Sequence, residues 1–117
     1  MAGKTASPAI RLRKLEAVLP RAQEAGKGGK RLSANPMREL VGVSWSQLRE
    51  WCNDIPGFEE SGAFSRGGNG IEWEFLPVRT VRFLISHFKA LHEAQVEKAM
   101  KQRAVYGGST LVAAPRS

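Results

Sequence analysis

The chain has a single cysteine, two histidines and no long hydrophobic run, and each shortage excludes a class of protein. One cysteine, Cys52, cannot form an internal disulfide framework or supply a multi-cysteine zinc site. The apolar runs are only a few residues long, far short of a membrane-spanning helix, and no signal-peptide segment follows the N-terminus. We therefore expect a cytoplasmic protein that has no membrane partner.

The sequence also lacks a recognisable set of catalytic or metal-binding residues. His87 and His92 would lie about 140° apart around a helix, so they cannot share a metal ion. Cys52 has no identifiable base partner and is typical of a small core residue. The glycine-rich stretch 67–70 lacks the Gly-Lys-Ser/Thr ending of a P-loop. We therefore predict that the protein is not an enzyme and holds neither a metal nor another cofactor.

Basic residues outnumber acidic ones, and they are concentrated at the two ends of the chain. The sequence has 18 lysines and arginines against 11 acidic residues, a net charge of +7. Residues 1–35 and 79–117 are both strongly basic, whereas residues 36–78, which hold all three tryptophans, are net acidic. The balance favours a polyanionic partner, contacted mainly by the flanks of an acidic core.

The first 32 residues are predicted to form a basic, flexible arm. Pro8 is a favourable first residue for a short helix, and Pro20 is expected to end or kink that helix. The glycine-rich stretch 25–31 then resembles a flexible linker. The arm is either simply solvated or ligates phosphates once docked. In the second case, the contacts are made by Lys27, Lys30 and Arg31.

Residues 33–92 have the pattern of two short helices, a hairpin and the start of a long helix. Gly42 is expected to end the first helix, which spans roughly 36–41. Ser44 and Gln47 fit a capping box for a second helix over about 45–53. Alternating apolar and acidic residues over 71–75, preceded by glycines, predict a hairpin. The fold class is therefore mainly α with a small β-hairpin.

A long helix is predicted from Pro77 to the glycines at 107 and 108, with residues 93–106 extending it beyond the body and residues 107–117 forming a disordered tail. Its apolar residues recur at heptad-like spacing. The second half has no remaining core to cover, so it either frays or pairs with a second copy. We expect a homodimer whose contacts include Phe88, Leu91, Gln95 and Val96.

Several stretches, taken together, resemble a known family of DNA-binding domains. They are Pro36-Met37-Arg38-Glu39-Leu40-Val41-Gly42-Val43-Ser44, Gln47-Leu48-Arg49-Glu50-Trp51, Arg66-Gly67-Gly68-Asn69-Gly70 and Trp73-Glu74-Phe75. The order of helix, glycine turn, capped helix and hairpin resembles the MerR-type winged helix-turn-helix. Within that group the chain is most similar to the DNA-binding domain of the small terminase subunit of lambdoid phages. The resemblance covers about half of the chain.

The resemblance implies that the second helix enters the major groove of DNA and that the hairpin, or wing, contacts the backbone. Carried over by position, the residues facing the groove are Ser46, Gln47 and Arg49. The residues meeting phosphate are Arg66 and the backbone amides of Gly67, Gly68, Asn69 and Gly70.

These features lead to hypotheses of two classes. The first is a double-stranded DNA-binding protein that recognises DNA for phage genome packaging in the host cytoplasm and binds a large terminase (motor) subunit. A winged-helix transcriptional regulator or excisionase is the close alternative. The second class is a non-enzymatic adaptor that assembles through the long helix and has lost DNA binding, which the acidic core favours.

Overall fold

The computed structural model describes residues 7–107, with side chains as far as Gln102. It is mainly helical, with a small antiparallel sheet and a long C-terminal helix, as the sequence predicts. In chain order the elements are α1 (Pro8–Ala25), a 3-10 turn (Lys27–Gly29), α2 (Ala34–Val41), α3 (Trp45–Asp54), β1 (Phe64–Ser65), β2 (Glu74–Phe75) and α4 (Pro77–Gly107). Apart from Gly107, the tail predicted over 107–117 lies outside the described residues.

Helix α1 belongs to the body of the protein, so the prediction of a flexible arm is wrong for residues 7–32. The helix makes its main contacts with α4. Leu15 and Ala22 are both buried in the shared core. At its start, the Ser7 hydroxyl accepts a hydrogen bond from the Ile10 amide at 3.3 Å. The charged residues that suggested an arm occupy the exposed face of a packed amphipathic helix.

Of the two outcomes predicted for Pro20, the end of the helix is wrong, because α1 continues through Pro20 to Ala25. A proline inside a helix removes one backbone hydrogen bond and costs about 3 kcal/mol. Pro20 is exposed, while Leu15 before it and Ala22 after it are buried. Burial on both sides of the proline therefore offsets the cost and keeps the chain helical.

Helix α2 begins at Ala34, slightly before the predicted start, and ends as the sequence predicts. Gly42 has a φ of 82°, in the left-handed region that favours glycine, and its amide donates to the Arg38 carbonyl at 2.8 Å. The chain then turns directly into α3, with Ser44 at the N-terminal cap. The two helices and their glycine turn thus lie where the sequence places them.

Helix α3 has the Ser44 half of the predicted capping box. The Ser44 hydroxyl accepts a hydrogen bond from the Gln47 amide at 3.1 Å. Its inward face carries Leu48, Trp51 and Cys52, all of them buried. The amphipathic spacing of these residues fixes which face of α3 is left for solvent or a ligand.

The sheet is built around Phe75, which is completely buried. On one side Phe75 pairs with Phe64 of β1 in an antiparallel register. On the other side it exchanges two backbone hydrogen bonds with Leu32, at 2.8 and 2.7 Å. Leu32 therefore acts as a third, single-residue strand that joins the chain between α1 and α2 to the hairpin.

The hairpin tip depends on Gly67, which lies close to the returning chain. A Cβ at this position would be 2.5 Å from the Ile71 carbonyl oxygen and 2.7 Å from the Trp73 backbone nitrogen. The predicted inward alternation holds for Phe75 and partly for Trp73. It is wrong for Ile71, which is 69% exposed, because the tip extends beyond the core.

Aromatic rings fill much of the core between the hairpin and α4. Phe58, in the loop after α3, stacks on Phe83 of α4 with ring centroids 4.6 Å apart. Phe64 stacks on Trp73 at 5.8 Å, and Trp73 meets Trp45 edge to face at 5.1 Å. These contacts hold the hairpin in a fixed position beside α3.

Only the first part of α4 is covered by the body. Val81, Leu84 and Phe88 are buried, whereas Leu91 is 40% exposed. The Phe88 ring packs edge to face on Trp51 at 5.6 Å. The prediction that Phe88 lies on a dimer face is therefore wrong. A second subunit could reach Phe88 only by opening the contact between α3 and α4. None of the described helices is long and apolar enough to cross a membrane.

Candidate nucleic-acid interface

An open cleft of about 400 Å³ lies between α3 and the hairpin. We call it the α3 cleft. It is lined by Ser33, Ala34, Asn35, Trp45, Arg49, Glu72 and Trp73. Two half-buried tryptophans, one from α3 and one from the hairpin, provide its apolar surface. The cleft thus combines flat aromatic surface with one cation, one carboxylate and small polar groups.

Three predicted groove residues lie on the outward side of α3. Ser46 and Arg49 are exposed, and Gln47 is half-buried, with its backbone amide bonded to the Ser44 hydroxyl. Within the described part of the chain, no carboxylate oxygen lies within 4.0 Å of the Arg49 guanidinium, although Glu72 lines the same cleft. The five donors of Arg49 are therefore available to a ligand at this face.

Arg66, predicted to meet phosphate, is held by the protein itself. Its Nε lies 3.0 Å from Glu59 Oε1, and its Nη2 donates to the Cys52 carbonyl at 3.4 Å. The guanidinium also lies over the Trp73 ring, 5.2 Å from the ring centroid. A phosphate contact would have to compete with all three interactions. We therefore leave Arg66 out of the proposed interface.

Beneath Arg66, Cys52 is buried and chemically quiet. The pKa of its thiol is raised to about 12, mainly by burial; Arg66 lowers this pKa and Glu59 raises it, and both effects are smaller than that of burial. Since the thiolate is the reactive form, Cys52 is essentially uncharged and unreactive at neutral pH. This agrees with its interpretation as a small core residue.

The wing amides are only partly available. The Gly68 amide donates to the Ile71 carbonyl at 2.8 Å, and the Ile71 amide donates back at 3.0 Å. Gly67 is half-buried by its close approach to Trp73. Asn69 lies at the exposed tip with a φ of 51°. Of the predicted amide contacts, Asn69 and Gly70 lie at the exposed tip, whereas the Gly68 amide is already satisfied within the hairpin.

The three basic residues after α1 that were predicted to contact phosphate differ in their surroundings. Lys27 and Lys30 are exposed, and Arg31 forms a long ion pair with Glu74 of β2, at 4.0 Å. Lys30 faces a second open pocket, of about 360 Å³, which we call the α4 pocket. It is lined by Gly26, Lys30, Leu76, Pro77, Val78, Arg79 and Arg82.

The α4 pocket was not predicted from the sequence. Arg79 and Arg82 are three residues apart just after Pro77, a spacing that places them on one face at the helix start. That local signal was present in the sequence. The approach of Lys30 to them was not visible, because it depends on α1 packing along α4.

Among the described residues, no group of three or more histidine, cysteine and acidic side chains could hold a metal ion. Comparisons with models of known protein families, with curated proteins and with solved structures found no match.

Proposed function

We propose that this chain is a non-enzymatic, double-stranded DNA-binding protein that inserts α3 into the major groove as a winged helix-turn-helix does. The observation that carries the proposal is the outward face of α3, where Arg49 has no carboxylate partner in the described structure and lies beside the hairpin. An α-helix fits the width of the major groove, and arginine is the commonest reader of guanine there. Ser46 and Gln47 add short polar groups to the same face.

The order of elements supports the same proposal. A first helix, the Leu32 strand, two helices joined by a tight turn and then a hairpin bring α3 and the wing to one side of the molecule. In such an arrangement the helix can read base edges while the wing lies against the backbone. The aromatic contacts of Trp73 fix the hairpin relative to α3.

Charge near α3 limits how much affinity this face can supply. Glu50 is exposed on the same helix, and Glu72 lines the α3 cleft. Phosphate attraction dominates the affinity of most DNA-binding proteins. The proposal therefore assigns sequence discrimination to α3 and most of the affinity to basic side chains elsewhere on the surface.

Replacing Arg49 tests the proposal. A preferred duplex is first selected from a random library with the wild-type protein. Arg49→Ala should then weaken binding to that duplex by about 1–3 kcal/mol, while binding to random duplex changes little. Arg13→Ala, an exposed arginine on α1, is the matched control, with little sequence-dependent effect expected. Wild-type protein that binds no duplex at ~50 mM salt would overturn the proposal, since phosphate contacts are strongest there.

For the biological setting we propose recognition of phage DNA for packaging, in the host cytoplasm, together with a large terminase subunit. The support is the resemblance of the two short helices and the wing to small terminase subunits. Co-purification with a motor subunit encoded beside this gene would support packaging. A binding site within a promoter or an attachment site would instead favour the regulator or excisionase.

We further propose that the protein is a homodimer through the uncovered half of α4. Leu91, Val96 and Met100 are 40%, 44% and 63% exposed, and Gln95 lies among them. An isolated helix of this kind is marginally stable in water, so a second copy would stabilise it. A twofold dimer would also present two α3 helices to two half-sites.

Sedimentation equilibrium of the wild type and of Leu91→Asp combined with Val96→Asp tests the dimer. The wild type should sediment at twice 12.8 kDa and the variant at 12.8 kDa. The tryptophan fluorescence should not change, because all three tryptophans lie in the body. A wild-type monomer with an intact helix would contradict the dimer. A dimer that binds no DNA would favour the adaptor.

A further inference from the structure

The α4 pocket gathers three basic side chains from two distant parts of the chain. Lys30 comes from the segment after α1, and Arg79 and Arg82 come from the first turns of α4. All three are exposed, and no acidic side chain of the described residues lines the pocket. We propose that the α4 pocket binds a phosphate group and that duplex DNA supplies it. That duplex DNA is the source of the phosphate rests on the proposed function.

The charge of the pocket is not neutralised by its surroundings. Within the described residues, Lys30, Arg79 and Arg82 form no ion pair within 4.0 Å. Arg79 makes one weak contact, donating from Nη1 to the Ser61 carbonyl at 3.5 Å, which orients it without removing its charge. Two guanidinium groups and an ammonium beside a concave surface suit an anion with several acceptor oxygens, as a phosphate has.

The pocket wall is shaped by apolar packing between the ends of two helices. Gly26, at the end of α1, lies against Pro77, the first residue of α4; a Cβ at Gly26 would be 3.4 Å from the proline ring. This contact brings Lys30 toward the arginines. The backbone at the start of α4 adds a weak positive potential to that of the side chains.

The position of the pocket relative to the α3 cleft points to the DNA backbone as the source of phosphate. Lys30 lines one site and Ser33 the other, and the chain between them is extended through the Leu32 pairing. Three extended residues span roughly 10 Å. A duplex held at α3 would therefore lie within about 10 Å of the α4 pocket, and Glu74, the acidic residue nearest to this segment, is paired with Arg31.

The first experiment tests the pocket without DNA. Inorganic phosphate is titrated into the full chain, and backbone amide shifts are followed by NMR against sodium chloride at equal ionic strength. We expect saturable shifts at Gly26, Val78 and Arg79. Arg79→Gln combined with Arg82→Gln should raise the dissociation constant about tenfold or more, because charged hydrogen bonds to the phosphate are removed. Lys89 lies outside the pocket and serves as the control. An equal rise in the dissociation constant for phosphate with Lys89→Gln would overturn the phosphate site, as would the absence of saturable shifts in the wild type.

The second experiment identifies the carrier. The slope of log affinity for random duplex against log salt should become shallower by about 0.9 for each phosphate that the double variant no longer neutralises. The Lys89→Gln control should leave the slope unchanged. Phosphate binding together with an unaltered DNA slope would support the pocket but overturn DNA as the source. If the wild type binds no DNA, the proposed function fails, while the phosphate titration still decides the pocket.

Discussion

Replacing Leu15 by alanine separates a packed first helix from a free arm. The Leu15 side chain is 1% exposed, within the core to which α1 and α4 both contribute. Leu15→Ala removes three buried carbon atoms, worth about 2.4 kcal/mol of transfer free energy at ~0.8 kcal/mol each. The cavity left behind raises the expected loss to about 3–4 kcal/mol. That is a large share of the ~5–15 kcal/mol by which domains are usually stable.

Urea unfolding of the full chain, followed by tryptophan fluorescence and circular dichroism together, measures this loss. The two signals should report one transition, because the tryptophans and α1 share a core. Glu16→Ala, at the exposed neighbouring position, is the control and should change stability by less than about 0.5 kcal/mol. If Leu15→Ala proved no more destabilising than Glu16→Ala, α1 would not be part of the core in solution.

Three further outcomes follow from the packing and ionisation described above. A Cβ at Gly67 would lie 2.5 Å from a backbone oxygen, so Gly67→Ala should cost about 1–3 kcal/mol in urea unfolding. Asn69→Gly, which relieves a positive φ, should cost nothing, and equal stability of the two variants would refute the close approach. Because burial holds the pKa of Cys52 at about 12, iodoacetamide at about pH 8 should alkylate it only in unfolded protein; rapid alkylation of the native chain would contradict this. Burial lowers the pKa of His87 below 6.5, so its contribution to stability is complete above pH 6.5 and is lost as the pH falls through the lowered value. His87→Gln should flatten stability against pH in that range, and unchanged curves would argue against the shift.

The parts of the fold that the sequence predicted correctly are those set by local signals. Gly42 ends α2 because it adopts a left-handed conformation, and Ser44 caps α3 through an amide three residues away. Both effects act within a few residues, so they are visible without knowledge of the rest of the chain. The boundaries of α3 were predicted to within about one residue for the same reason.

The prediction of a flexible arm over the first helix was wrong because local sequence signals and long-range packing favour different structures there. Pro20 and the glycines after Ala25 favour a break and a flexible segment when read alone. Burial of Leu15 and Ala22 against α4 outweighs that preference, and no pattern in the first 32 residues shows which partner will cover them. Tertiary packing overriding local propensity is the expected source of such errors.

In the candidate site too, local spacing predicts which way a side chain faces, whereas tertiary contacts decide which partner it has. That Arg49 faces outward follows from the period of α3, but whether it forms an ion pair depends on where Glu72 of the hairpin lies. Arg66 looked equally available in the sequence, yet Glu59, in the loop after α3, occupies it at 3.0 Å. Charged side chains acquire or lose partners through loop geometry, which no periodicity encodes.

The partly covered helix α4 also determines how the protein moves through solution. The described chain measures 65 × 27 × 27 Å and has a radius of gyration of 18.9 Å, whereas a compact domain of this length would have about 13 Å. Frictional drag rises with elongation, so a monomer of this shape diffuses more slowly than a sphere of equal mass. On a gel-filtration column calibrated with globular standards it would elute early, at a position normally assigned to a dimer. Its stoichiometry is therefore to be determined by sedimentation equilibrium or light scattering, in which mass is measured independently of shape.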